Sequence, residues 1–254
     1  MAGRPPIGGA RLRQYQVLAL ALAAVLVYLV IHGHLVSLSN ALLFAMLIPS
    51  VILHEVSHGL VAYWLGDDTA KQAGRLTLNP IPHIDPIGSV IMPAILAFAG
   101  FPVFGYAKPV PVNVGRLRSP RNHSVVVALV GPLVNIILAV LAGLAVRLFL
   151  PINDLFAANG QLSGLPIGFQ LLFALGLVNV LLAIFNLIPL PPLDGSAVIE
   201  RLMPRTWWPA YLRIRQFTLP AVFILAILVT EIHPGALGRV YAPAINLWGR
   251  LILP

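Results

Sequence analysis

Residues 47–66 read LIPSVILHEVSHGLVAYWLG. This is an apolar run of helical length, broken by three ionisable groups within five residues: His54, Glu55 and His58. On a helix, positions four apart share a face and lie one turn from each other, so both imidazoles can reach a single metal ion. Glu55 projects roughly 100° around the axis from His54. That puts it beside such an ion, where it can take a proton from water. An HExxH pattern alone is a weak signal in a soluble chain. In the middle of an apolar helix such groups are costly unless they serve a function, and the metal reading outweighs a helix-packing role.

The setting follows from the whole chain. Hydrophobic residues make up 59% of the 254 and charged residues 9%, with a mean hydropathy of +0.91, whereas soluble globular chains carry about 25% charged residues. A soluble enzyme, a disordered tail and a fibrous repeat are excluded, and the expected fold is an all-α polytopic membrane protein. The net charge of +8 does not point to nucleic acid, because the sixteen Lys and Arg sit singly or in small groups between apolar stretches. That pattern suits loops facing a cytoplasm and the anionic headgroups of the lipid bilayer. The chain has no cysteine, so disulfides, thiolate ligands and a cysteine nucleophile are excluded. Any metal must use His, Asp or Glu.

Five stretches read as spans, roughly 15–31, 40–65, 124–150, 168–190 and 217–232. The first follows three arginines but lacks a cleavage pattern, and reads as an uncleaved span. A sixth, 87–104, is broken by Pro93, Gly100 and Pro102, and the last twenty residues are apolar but contain Arg239 and Arg250. Basic residues cluster before residue 14 and in 66–86, 105–121 and 191–215, and are absent from 32–39 and 151–167. All the basic loops share one side if 87–104 is re-entrant rather than spanning. The expectation is therefore five or six transmembrane helices, with a re-entrant or short β-like segment between the second and third. The N-terminus and the active site then face the cytoplasm of a cell-membrane protein. GYAKPVPVNV, 105–114, suits an extended edge, whose Val110 and Val112 could pair with an incoming peptide. We expect one domain over 1–254, with a core at about 40–200 and peripheral helices at 15–31 and 217–254. Nothing in the sequence sets an oligomeric state.

Catalytic zinc takes three protein ligands, and the chain has eight acidic residues. Asp67 lies nine residues beyond His58, about 13 Å along a helix, too far to share the ion. Asp154 and Glu231 fall on the far side. Asp85 and Asp194 remain, with His83 a third choice. Asp194 is preferred because it directly follows an apolar span in FNLIPLPPLDG, 185–195. Its prolines unwind the end of that span, and Gly195 permits a tight turn.

HEVSH, GPLVN at 131–135 and NLIPLPPLDG at 186–195 together resemble the site-2 protease family of intramembrane zinc metalloproteases, peptidase family M50. LTLNPIPHIDPIGS, 76–89, and AKPVPVN, 107–113, extend the similarity over roughly 45–200. The chain looks most like the compact prokaryotic branch, without a PDZ or CBS domain. The resemblance implies one Zn2+ per chain on His54, His58 and Asp194, with Glu55 as general base. It also implies Asn186 as a donor to the substrate or oxyanion, Asn135 as a core asparagine that either packs or meets substrate, and His83 and Asp85 as shapers of the loop around the site. The partner it implies is a membrane-embedded protein substrate, such as an anti-sigma factor or a remnant signal peptide, cut by regulated intramembrane proteolysis. Two rival classes fit less well. A metal-ion carrier should show a repeat and charges on several helices. A prenyl-protein type zinc protease needs a later glutamate ligand, and Glu200 and Glu231 lack a suitable context.

Overall fold

The computed structural model describes residues 38–92, 107–151, 162–233 and 235–252. The apolar run around HEVSH forms α1, Leu38–Trp64. It stops at Gly66, whose φ of 110° is a left-handed conformation that costs glycine little. Pro120 opens α2, Pro120–Phe149, in the first helical turn, where its missing N–H costs no bond. Then follow α3, Ile167–Leu187; α4, Ser196–Leu202; α5, Trp208–Ile232; and α6, Ala236–Ile252.

Among the described residues, three helical stretches are long and apolar enough to cross a membrane: Ala41–Trp64, Pro120–Phe149 and Ile167–Leu187. They match the second, third and fourth expected spans. The expected span at 217–232 falls within α5, which begins earlier, at Trp208. The stretch 15–31 and residues 93–104 lie outside the described residues, so the re-entrant reading is traced only to residue 92. No strand occurs among the described residues, and 107–113 carries no regular secondary structure.

The chain divides into two compact units, 1–38 with 84–108, and 39–83 with 109–254. In the described part of the first, a π-helical turn runs from Pro86 to Ile91. The Asp85 carboxylate caps it, accepting from the N–H groups of Ile87 at 3.0 Å and Gly88 at 2.7 Å.

In the larger unit, α2 and α3 pack along their lengths and α6 lies against both. Small residues make this possible, as they do wherever helices approach closely in lipid. The Trp248 indole of α6 is buried with Ala139, Val146 and Val180, and its Nε1–H donates to the Ala139 carbonyl at 2.7 Å. A Cβ at Gly143 would stand 3.1 Å from that Nε1, and one at Gly176 would overlap the ring. α6 thus packs directly against α2 and α3.

The residues after the first unit form a strap across the end of α1. Buried Asp67 accepts the Asn113 N–H at 2.6 Å and also the N–H and hydroxyl of Thr69. Arg118 N–H donates to the Leu65 carbonyl at 3.0 Å, and Arg116 pairs with Asp68. Arg75, itself buried, donates to the carbonyls of Pro82 and Pro109. Val112 packs beside Ala62, Leu117 and Val127.

Candidate metal centre

α1 carries His54 and His58 one turn apart, with the rings nearly perpendicular at 87° and their centroids 4.6 Å apart. Each ring is held from behind. His58 Nδ1 lies 2.6 Å from the Val127 carbonyl, which can only accept, so Nδ1 is the protonated nitrogen. His54 Nδ1 lies 2.6 Å from Asn135 Oδ1, again an acceptor. Both Nε2 atoms therefore carry lone pairs, and they face each other at 3.1 Å.

Asp194 completes the group. Helix α3 ends where Pro189, Pro191 and Pro192 remove the donors that would continue it. The chain then turns back, so that the Gly195 N–H donates to the Asn186 carbonyl at 2.7 Å. Gly195 is required for close approach, since a Cβ there would run into the Leu187 carbonyl. Its φ of −57° is ordinary, so the glycine provides room rather than an unusual backbone angle. The return brings Asp194 Oδ2 to 3.1 Å from His54 Nε2 and 3.5 Å from His58 Nε2.

Three acceptors thus converge, and Asp194 Oδ2 has no hydrogen-bond partner. With the ring protons on Nδ1, nothing among the described residues donates a proton between them, and one cation satisfies all three. Zinc bonds of 2.0–2.1 Å in a tetrahedron set the ligand atoms about 3.3 Å apart, close to the separations found. His54, His58 and Asp194 form the group that could hold a metal ion among the described residues. Gly131 makes space for it, because a Cβ there would lie 2.5 Å from His54 Cε1 and from His58 Nε2.

Glu55, next to His54, accepts the Val110 N–H on Oε2 at 2.8 Å. This N–H lies on the segment that could pair with an incoming peptide, and in the structure it is bonded to the carboxylate. Asn186 sits at the end of α3, partly exposed, with its Nδ2 donating to the Leu182 carbonyl at 3.0 Å. Asn135 is fully buried, and its amide is committed at both ends, to His54 and to Asn179. His83 is buried, with Nε2 donating to the Thr77 carbonyl at 3.0 Å. Asp85 belongs to the other compact unit, where its carboxylate caps the π-helical turn.

Four contributors escaped the sequence reading: Asn179, Ser50, Asp67 and Arg75. The first two left a signal, as polar residues inside otherwise apolar spans. The last two did not, because a charged residue just past a helix end usually means a solvated loop.

The model of Peptidase family M50 matches residues 42–229. Over 159 residues the chain is 43% identical to YwhC of Bacillus subtilis, a match covering 62% of this chain and 67% of that protein. Over 202 residues it is 32% identical to Rip2 of Mycobacterium tuberculosis, covering 78% of this chain and 66% of the relative. Both are assigned by name to the zinc metalloproteases. A zinc metalloprotease of Methanocaldococcus jannaschii, MJ0392, is 27% identical over 167 residues, 66% of this chain and 36% of its own length. The chain thus spans about two thirds or less of these relatives. No solved structure matches it significantly. Because the family model covers most of the chain and the metal-ligand group lies within it, the chain belongs to peptidase family M50, the zinc metalloproteases of the site-2 type.

Proposed function

We propose that the protein is an intramembrane endopeptidase that hydrolyses peptide bonds within or near the transmembrane segments of membrane proteins. The observation that carries this reading is the convergence of His54, His58 and Asp194 from one candidate membrane span and the end of another, with Glu55 beside them. In this reading the three residues hold one zinc. When bound, zinc supplies Lewis acidity, lowering the pKa of a water toward about 7 and polarising the scissile carbonyl.

Glu55 is the general base. The Val110 N–H holds Oε2, and the second oxygen takes the water proton and later delivers it to the leaving amine. Asn186 is the donor to the developing oxyanion. Its Nδ2 donates one hydrogen to the Leu182 carbonyl, and the second N–H of the amide is the one that serves the oxyanion. The substrate must be locally unwound, because an intact helix hides its carbonyls in its own hydrogen bonds. Single-span proteins, such as an anti-sigma factor or a remnant signal peptide, fit that requirement. In this reading the N-terminus and the site face the cytoplasmic side of the cell membrane, which the distribution of basic loops supports.

The test pairs Glu55→Gln with single alanine variants of His54, His58 and Asp194. Glu55→Gln keeps about one zinc per chain and loses cleavage by roughly 10² to 10⁴, while each alanine variant loses zinc. Membrane-protein fragments present in wild-type cells and absent with Glu55→Gln identify the substrate. Full cleavage by Glu55→Gln would remove the assigned base.

A further inference from the structure

Behind His54 the buried polar groups form a chain with a fixed direction. The carbonyl of Met46 can only accept, and Ser50 Oγ–H donates to it at 2.7 Å. The Ser50 oxygen is then the acceptor for Asn179 Nδ2, 2.8 Å away. The same Nδ2 donates to the Leu175 carbonyl at 2.8 Å. With its nitrogen fixed by two acceptors, the Asn179 amide must turn Oδ1 toward Asn135, whose Nδ2 lies 2.7 Å away. That leaves Asn135 Oδ1 facing His54 Nδ1 at 2.6 Å. The proton of His54 is therefore on Nδ1, and the Nε2 lone pair points at the metal group. Were the Asn135 amide reversed, two oxygens would meet at one end and its N–H would press a donor against Nδ1 at the other. Ser50, Asn135 and Asn179 are each 0% exposed.

We propose that Asn179 is a positioning residue of the metal centre: by accepting from Asn135 it sets the orientation of that amide, and so the tautomer in which His54 meets the metal. The inference rests on the reading of His54 as a ligand. Partners that fix a metal-binding imidazole typically matter 10- to 100-fold in affinity. Here the deciding group stands two hydrogen bonds from the ring, on a different helix.

Two substitutions in the full chain separate this role from packing. Asn179→Leu removes the acceptor for Asn135 but puts an apolar side chain in an apolar helix, so the metal-free protein loses only the modest stability that the stranded Asn135 N–H costs, less than a buried charge would. Asn179→Asp keeps the acceptor but buries a carboxylate against the Leu175 carbonyl, so stability falls. Zinc affinity, measured by competition with a chelator, is expected to run the other way: a loss of about 10-fold or more for Asn179→Leu, and a value within a few-fold of wild type for Asn179→Asp. Zinc affinity that follows stability, or stays at the wild-type value in Asn179→Leu, overturns the proposal. Should Asn179→Asp fail to fold, imidazole ¹⁵N spectra of the metal-free protein decide. His54 is expected in the Nδ1–H form in wild type and as a mixture in Asn179→Leu, and an unchanged tautomer refutes the idea. Zinc retained by Asp194→Ala would instead count against the ligand assignment itself.

Discussion

Glu55 and Val110 are 55 positions apart in sequence, yet the N–H of one meets the carboxylate of the other at 2.8 Å. Of the segment 109–113, Pro109 and Pro111 have no N–H to give, while Asn113 gives its own to Asp67 at 2.6 Å. The strap therefore directs its few donors at the two acids that border it. Val110→Pro removes the donor to Glu55 and leaves His54, His58 and Asp194 untouched. Zinc content should be unchanged and turnover should fall by up to about 10²-fold, the cost of a misplaced catalytic group. Val110→Ala, which keeps the N–H, should retain most of the activity. Equal losses in the two variants would assign the effect to side-chain packing.

Gly131→Ala sets local propensity against the site. Alanine is about 1 kcal/mol better than glycine within a helix, so a purely helical role predicts a stabler α2. The added methyl would stand 2.5 Å from both imidazoles. Zinc binding should fall at least tenfold while helical content by circular dichroism stays at the wild-type level. Unaltered zinc affinity would show that the rings have room to move.

Asp67 gives the strap a dependence on pH. Burial works to raise the pKa of its carboxyl, but the hydrogen bonds from the Thr69 side chain, the Asn113 backbone and the Thr69 backbone, together with the Arg116 charge, hold it below the ordinary 3.8. A lowered folded value means the stabilisation is complete above the unfolded pKa and is lost as pH falls through the folded one. Asp67→Asn should therefore be less stable than wild type at pH 7, with the gap closing below about pH 4. Hydrogen exchange at 110–118 as a function of pH measures it, and a gap that widens in acid would reverse the sign.

Orientation can be checked with thiols, since the chain has no cysteine. Single cysteines at Ser119, just before α2, and at Ser163, just before α3, should label from opposite sides of a sealed vesicle. Labelling of both from one side would contradict the basic-loop assignment.

Helices α1, α2 and α3 were legible because each is an apolar run bounded by glycine or proline, and periodicity and length carry that information without tertiary context. His54 and His58 were legible for the same reason, as spacing on one helix. Asp194 needed elimination among few acids. What could not be read was who stands behind the ligands. The partnership of Asn135 with Asn179 depends on two helices meeting in one register, and local pattern contains nothing about register. Val110 illustrates the limit differently: its alternation with proline indicated an extended backbone, but not the side to which its N–H would turn.

The notch that Gly143 and Gly176 leave for Trp248 also bears on the order of events during synthesis. Both walls are synthesised before the residue that fills the space between them. All three proposed metal ligands, and the family match that ends at residue 229, precede the helix that closes it. The indole is therefore the last of these packing groups to be synthesised, and the space beside Gly143 and Gly176 can be filled only once the final helix has been made.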